Sequence, residues 1–122
     1  MAANKRIAGI AYVRVDGRQY PLRGSFTVSP SPTERTGIAG QDYVHGFSEM
    51  PRVPYIEGDI STTKEVSEET LSAIEDATIT AELANGKVYV LRNAWTKSAH
   101  EINTKDGQLR VRWEGLSCDE LN

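Results

Sequence analysis

The side chains most able to do chemistry are few. The sequence holds two histidines, His45 and His100, and one cysteine, Cys118. A thiolate nucleophile would need a histidine beside it and an electropositive setting that lowers its pKa. Cys118 lies instead in the segment SCDEL, where Asp119 and Glu120 would raise that pKa. We therefore expect no catalytic residue, and we interpret His45 as a structural or interface histidine on a strand face.

Carboxylates are more numerous, with seventeen Asp and Glu residues. Two of them, Glu57 and Asp59, would share one face of a strand, but no histidine or cysteine accompanies them at ligand spacing. A solvated acidic face is the simpler interpretation, so we expect no metal site. The segment GIAGQD lacks the lysine and the following helix of a phosphate-binding loop, and we expect no cofactor.

The balance of acidic and basic side chains also argues against some classes of function. Fourteen basic and seventeen acidic side chains give a net charge of −3. Tight binding of nucleic acid requires a basic face that releases counterions from the phosphates, and this composition gives no support for one. No segment reaches the roughly 18 apolar residues of a membrane-spanning helix. The first residues carry no apolar run of signal-peptide length, so we expect no membrane anchor and a protein that stays where it is made.

Strands are the elements that would position any site. Apolar and polar residues alternate through IAYVRVDGRQYPL, GSFTVS, ATITAELANGKVYVL and QLRVRW, which is the period of half-buried strands. Asp16-Gly17, Asn85-Gly86 and Asp106-Gly107 predict hairpin turns. Pro54, inside the strand-like segment RVPYIEGDIS, predicts an edge position or a bulge. By its length the chain is a single domain, residues 1–122, and its class is mainly β.

One helix is predicted, in the segment EVSEETLSAIEDA. Ser67 is suited to the N-cap, and Glu68 and Glu69 fall in the first turn, where the helix dipole favours acidic groups. Val66 and Leu71 have the spacing of a hydrophobic staple. A helix of about two to three turns is expected, which needs tertiary packing to be stable.

The strand pattern stops after Ser29. The segment PSPTERTGIAGQD, residues 30–42, contains two prolines, which cannot donate to a strand ladder, and two glycines. We predict a long loop here, and loops of this length in compact domains usually serve a function. The strand pattern resumes in YVHGFSEM and is interrupted by Pro51.

Three motifs follow one another between Val15 and Ser61: DG..YP..G.F, then GQDYVHG, then P.VPYIEG. The segment LRVRWEGLSCDEL adds a strand with an aromatic residue, a Glu-Gly pair and an acidic tail. With these motifs the chain resembles the Mu-like tail tube proteins of contractile-tailed bacteriophages, from about Ile10 to Glu120. The helix and the hairpin ANGKVYVLRNAW fall where that family places them.

The resemblance implies both a fold and an assembly. The fold is a β-sandwich or partly rolled β-barrel with one short flanking α-helix. Six copies would close into a ring, and rings would stack into a tube inside a contractile sheath. The tape-measure protein and then double-stranded DNA would occupy the channel, without specific DNA binding. Baseplate and tail-terminator proteins are further implied partners, and the implied location is the virion tail, assembled in the host cytoplasm.

Two sets of residues are candidates for this assembly. The long loop is expected to contact the next subunit or ring through Pro30, Pro32, Glu34, Arg35, Gly37, Ile38, Gly40 and Asp42. Polar residues opposite apolar strand faces are candidates for the channel wall: Ser25, Thr27, Ser29, Glu57, Asp59, Thr78, Thr80 and Glu82. Their hydroxyls and carboxylates would give DNA no cationic hold, so a duplex could slide past them.

Two other functions stay open at this point. A secretion-system or bacteriocin tube protein would share the architecture but would not conduct DNA. A monomeric β-barrel ligand-binding module would be a compact monomer with an apolar pocket. Electron microscopy of the concentrated protein would separate a tube subunit from such a module.

Overall fold

A computed structural model of the chain describes residues 11–64, 66–97 and 102–121. These ranges contain strands β1 (Tyr12–Val15), β2 (Arg18–Tyr20), β3 (Leu22–Ser29), β4 (Thr33–Ala39), β5 (Val44–Pro51) and β6 (Tyr55–Ser61), helix α1 (Glu68–Ser72), and strands β7 (Ala77–Glu82), β8 (Val88–Thr96), β9 (Ile102–Asn103), β10 (Gln108–Glu114) and β11 (Ser117–Leu121). The predicted class, mainly β with one short helix, is confirmed.

Nine of these strands form one antiparallel sheet. Its path runs β2-β1-β7-β8-β10-β6-β3, with β11 beside β8 and β9 beside β10. Within the described residues β2 and β3, the two ends of the path, do not pair with each other. The sheet is therefore rolled around the core without closing, as expected for the partly rolled form of the predicted barrel.

The first hairpin shows how local sequence sets the strands. Asp16 and Gly17 have φ angles of 50° and 89°, the left-handed conformation that a two-residue hairpin turn needs at both positions. This turn pairs Val15 with Arg18 and Val13 with Tyr20. Alternate residues then point inward, and Val13 and Val15 are buried.

One apolar cluster lies between the two halves of the rolled sheet. Val13 and Ile79 reach it from β1 and β7, while Ile56, Val111 and Trp113 reach it from β6 and β10. All five side chains have no exposed surface. Because both halves turn their apolar side toward the same cluster, their polar sides point outward in different directions.

Helix α1 covers this cluster at one side. The Ser67 side chain accepts a hydrogen bond from the Thr70 amide and caps the helix as predicted. Leu71 is fully buried, and the Thr96 hydroxyl donates to the Leu71 carbonyl at 2.5 Å. The helix has five residues, shorter than the predicted two to three turns. It ends at Ser72, and residues 73–76 connect it to β7.

The predicted loop over residues 30–42 is wrong as a description of the backbone. Thr33–Ala39 is a strand, β4, which pairs antiparallel with β5. Pro30 and Pro32 precede β4, and Pro51 ends β5, so these prolines bracket the hairpin without breaking its ladder. The Arg52 amide donates to the Pro32 carbonyl at 2.9 Å and closes the base of the hairpin.

The edge position predicted from Pro54 is also wrong. Strand β6 lies between β10 and β3 and is therefore an interior strand. Pro54 stands one residue before β6, where it costs no ladder donor, and its carbonyl accepts from the Gly115 amide at 3.2 Å.

Candidate assembly surfaces

The β4–β5 hairpin, residues 33–51, exposes apolar side chains along its whole length. Strands β4 and β5 form a two-stranded sheet of their own, and every residue from 31 to 51 is exposed. Ile38, Tyr43, Val44, Phe47 and Met50 keep between 48% and 70% of their surface in solvent. An isolated two-stranded hairpin is at best marginally stable in water. Apolar surface of this kind, projecting from the domain, is typical of a segment that is covered in an assembly.

The two faces of the hairpin carry different groups. On one face Arg35 pairs with Glu49 at 3.0 Å, and its guanidinium lies 5.4 Å from the centre of the Phe47 ring. On the other face, strand register places Ile38 and Met50. Both faces of the hairpin therefore carry exposed apolar residues, and neither face has the purely polar character of a surface that stays in solvent.

The hairpin tip is built around Asp42. One carboxylate oxygen, Oδ1, accepts from the Tyr43 amide and lies 2.9 Å from Nε2 of His45. The hydrogen bond with His45 is the main reason that the pKa of Asp42 lies below its usual value. Gly40 packs against the same ring, since a Cβ there would lie 2.4 Å from Cε1 of His45. The predicted structural or interface role of His45 fits this position.

The eight loop candidates are spread along this hairpin. Pro30 and Pro32 precede it, Glu34, Arg35, Gly37 and Ile38 lie in β4, and Gly40 and Asp42 belong to the turn. Four apolar residues at the tip and on the returning strand were not among the candidates: Tyr43, which precedes β5, and Val44, Phe47 and Met50 in β5. The sequence did contain a pattern that could have indicated them: these apolar residues occur in the strand-like segment YVHGFSEM, which contains Gly46 and is followed by Pro51.

The candidate channel residues lie on two outward faces. Thr27, Ser29, Glu57 and Asp59 belong to neighbouring strands β3 and β6, where Thr27 pairs with Glu57. Asp59 is buried, unlike the other three. Thr78, Thr80 and Glu82 belong to β7, on the outward side of the other half of the sheet. Ser25 lies in β3, and its side chain is outside the described part of the structure. The two groups therefore lie on different halves of the rolled sheet.

The face formed by β3, β6 and β10 also carries two arginines that sequence reasoning did not include. Register places Arg110 opposite Asp59 and Arg112 opposite Glu57. The alternation in QLRVRW places both arginines opposite the apolar side chains of their strand. It did not show which strand they would meet, because β6 and β10 are separated by about half the chain.

Glu57 is the centre of these contacts. It accepts from Arg110 Nε at 3.0 Å and from Arg112 Nη1 at 3.3 Å. Arg110 also donates to Asp59 at 3.2 Å, and Arg112 Nε lies 3.3 Å from a Glu114 carboxylate oxygen. We call these five residues the Glu57 network. The hydrogen bond from Arg110 is the largest cause that lowers the pKa of Glu57, and it raises the pKa of Arg110 in turn.

The β7 face is more sparsely charged. Glu82 forms an ion pair with Arg14 of β1. Thr78 is exposed and Thr80 half-buried, and Thr80 lies opposite Val90 of β8. This face therefore offers hydroxyls and one ion pair.

Residues 11–64, 66–97 and 102–121 contain no group of three or more metal-ligating side chains that could hold an ion. In the same ranges no helix has the length and apolar character needed to cross a membrane. Burial first, and then the neighbouring Asp119, raise the pKa of the Cys118 thiol. The direction is the one predicted from Asp119 and Glu120, but the main cause is burial. His100 lies outside the described residues.

Comparison with known proteins gives a family match over nearly the whole chain. Residues 4–120 match the model of the phage tail tube protein family. A Mu-like prophage FluMu tail tube protein from Haemophilus influenzae is 30% identical, over 93% of this chain and 94% of that protein. The tail tube protein of Escherichia phage Mu is 27% identical, with 91% of each chain covered.

Solved structures support the fold at lower sequence identity. A sheath/tube terminator of an extracellular contractile injection system aligns with a TM-score of 0.64 and 13% identity, over 92% of this chain and 93% of that one. The tube terminating cap of the anti-feeding prophage aligns with a TM-score of 0.66 and 12% identity, over 100% of this chain and 95% of that one. These chains share the rolled β architecture described above.

Proposed function

Because the chain belongs to the phage tail tube protein family, we propose that it is the structural subunit of an inner tail tube. Six copies close into a ring, and rings stack into a hollow tube inside a contractile sheath. The tube holds the tape-measure protein first and conducts double-stranded DNA at ejection. The domain acts through surfaces that pair with copies of itself and carries out no reaction.

The β4–β5 hairpin is the observation that carries this proposal. Its apolar side chains, Phe47 and Val44 on one side and Ile38 and Met50 on the other, are exposed in the single subunit. Burial of apolar surface stabilises an association by about 25 cal/mol for each Å² removed from water. A ring or stack that covers both faces of the hairpin would give this segment the tertiary support that its own subunit does not provide.

The open sheet gives a second reason for self-association. Strand β3, eight residues long, lies at one end of the sheet path, and β2 lies at the other. Unpaired strand edges are templates for pairing with another chain, and a cyclic arrangement satisfies them without leaving an edge. Inner strands joined in this way across six subunits would form one continuous barrel.

We assign the channel wall to the β3–β6–β10 face, with Thr27, Ser29, Glu57 and Asp59 toward the lumen. Strand β3 both carries this face and ends the sheet path, so extension of the sheet by a neighbour would continue this face around a ring. The β7 face, with Thr78, Thr80 and Glu82, would then point toward the outside of the tube. The sheath protein would contact the outside, while baseplate and tail-terminator proteins would cap the two ends.

The site of action is the virion, with assembly in the host cytoplasm. A tube of a secretion system or bacteriocin would use the same architecture for a different cargo. The curated relatives are tail tube proteins of a prophage and a phage, and this favours a DNA conduit.

Negative-stain electron microscopy of the concentrated protein tests the proposal. Sixfold rings or tubes should form, either alone or when a preassembled baseplate nucleates them. Tails that retain an intact tube after deletion of the gene for this chain would contradict it.

A further inference from the structure

The Glu57 network brings two guanidinium groups to the outward face of β10. Arg110 and Arg112 are two residues apart, so both point to the same side of the strand. Their side chains keep 49% and 32% of their surface exposed, against 20% for Glu57 and 12% for Asp59. The arginines are thus the outermost charged groups of the network.

The carboxylates beneath them engage several of their donors, while Arg112 Nε is buried without a hydrogen-bond partner among the described residues. Glu57 accepts from both arginines, Asp59 accepts from Arg110, and Glu114 lies in ion-pair distance of Arg112. Tyr55 covers one side of Arg112, with the guanidinium carbon 3.7 Å from the ring centre. Two positive groups therefore face three negative ones.

This arrangement has a direct consequence for phosphate. Arginine is the side chain best suited to bind phosphate oxygens, because its planar fork of donors matches them in pairs. Each phosphate that a protein neutralises on duplex DNA adds about −0.9 to the slope of log affinity against log salt. Two accessible arginines per subunit, repeated around rings and along a tube, would hold a duplex at many points.

We propose that Glu57 masks a latent phosphate-binding surface by keeping Arg110 and Arg112 engaged within the subunit. The wall stays polar and hydrated, but DNA phosphates must compete with carboxylates that are already in place. The masking is a property of the single subunit. Its role in DNA passage rests on the proposed function, in which this face lines the channel.

Chromatography of the unassembled subunit on immobilised duplex DNA, at several NaCl concentrations, tests the masking. Glu57→Gln removes the one carboxylate that contacts both arginines and should steepen the slope of log affinity against log salt, by about −1.8 at most. This value is an upper limit because Arg110 still contacts Asp59 and Arg112 still contacts Glu114. Glu34→Gln is the matched control, because Glu34 makes no ion pair within the described residues yet loses the same charge. Adding Arg110→Gln and Arg112→Gln to Glu57→Gln should restore the control slope.

A Glu57→Gln protein that is retained no more strongly than Glu34→Gln would overturn the proposal. If Glu57→Gln does not fold, Glu114→Gln, which alters only the Arg112 pair, should steepen the slope by up to about −0.9. The same slope as the control would again overturn it.

Virions that contain Glu57→Gln separate this inference from the proposed function. Slower DNA ejection supports both. Stronger DNA retention by the subunit together with unchanged ejection from intact virions would uphold the masking and remove this face from the DNA path.

Discussion

At Gly115 the backbone of the chain passes directly over strand β8. A Cβ at this position would lie 2.8 Å from the Arg92 carbonyl oxygen and 2.9 Å from Cγ of Leu91. The first of these neighbours is backbone, which cannot move aside without disturbing the sheet. The Glu-Gly pair after Trp113 is therefore a packing requirement of the sheet crossing.

Gly115→Ala should destabilise the subunit by about 1–3 kcal/mol, because the added methyl group forces backbone or core shifts. Gly37→Ala is the control, since a Cβ there has no heavy atom within 4 Å. Urea unfolding of unassembled subunits measures both. Equal stability of the two variants would show that β8 can adjust to the methyl group.

Leu71→Ala should cost about 2–5 kcal/mol of unfolding free energy, as a large-to-small change at a fully buried site. Leu116→Ala removes the same atoms from a side chain that is 71% exposed and should change stability by no more than about 0.5 kcal/mol. Thermal and urea unfolding would compare them. A small effect at Leu71 would mean that α1 contributes little to the core.

The stability of the subunit should depend on pH through the ionisation of Glu57. Its pKa is lowered in the folded subunit, first by the hydrogen bond from Arg110, so its contribution to stability is present above the ordinary glutamate pKa of about 4.3. That contribution is lost as the pH falls through the lowered folded-state value. The stability difference between wild type and Glu57→Gln should therefore be about 1 kcal/mol at pH 7 and shrink toward pH 3. Urea unfolding across this range measures it, and a difference independent of pH would contradict the prediction.

Among the elements, the β4–β5 hairpin differs most from the rest of the domain. The longer strands of the main sheet turn one side to a shared core, whereas this hairpin leaves both sides in solvent. Its own stabilising contacts include the strand ladder, the Arg35–Glu49 pair and the Asp42-centred turn. Such an element can change without affecting the core, and this makes it separable in experiments.

The double variant Ile38→Ser/Phe47→Ser should abolish ring and tube formation while leaving subunit unfolding nearly unchanged. Both side chains are about half exposed or more and lie on opposite faces of the hairpin, so the change removes apolar contacts with copies on either side. Electron microscopy and sedimentation measure the assembly. Leu116→Ser, at an exposed apolar site outside the hairpin, is the control. Normal tubes from the double variant would exclude the hairpin from the interface.

At the scale of the whole molecule, the rolled sheet gives two outward faces that differ in charge but carry comparable pairs of hydroxyl residues. The β3–β6–β10 face and the β7 face each carry one exposed and one half-buried hydroxyl residue on a single strand: Thr27 and Ser29 on β3, and Thr78 and Thr80 on β7. Because each face has such a pair of hydroxyl residues, the same substitutions can be made on both faces and their effects compared.

Thr27→Lys/Ser29→Lys should slow DNA ejection, most clearly at low salt, where attraction to phosphate is least screened. Thr78→Lys/Thr80→Lys adds the same charges to the β7 face and should leave ejection unchanged. Ejection kinetics of virions with intact tubes measure both. The reverse result would place β7 in the channel and β3 outside.

The sequence by itself determined the features that depend on neighbouring residues. Alternation at Val13 and Val15, or at Val111 and Trp113, marks the buried side of a strand, because side chains alternate regardless of which strand is adjacent. The Asp16-Gly17 turn and the Ser67 cap are set by local backbone geometry and a hydrogen bond within one turn. At Asn85-Gly86 the hairpin was predicted but its turn is longer: Gly86 has positive φ, and the Leu83 amide pairs with Lys87 across three residues.

Features that depend on residues far apart in the sequence were decided only by the tertiary structure. Residues 33–39 look irregular alone and become a strand because residues 44–51 return alongside and complete their hydrogen bonds. Likewise, the carboxylate of Glu57 meets Arg110 and Arg112 only through the register of β6 on β10, set by burial of Ile56 and Val111 on the opposite side. A shift of one residue would turn those apolar side chains outward. The core therefore fixes which charges meet on the outer face, and neither strand carries that information alone.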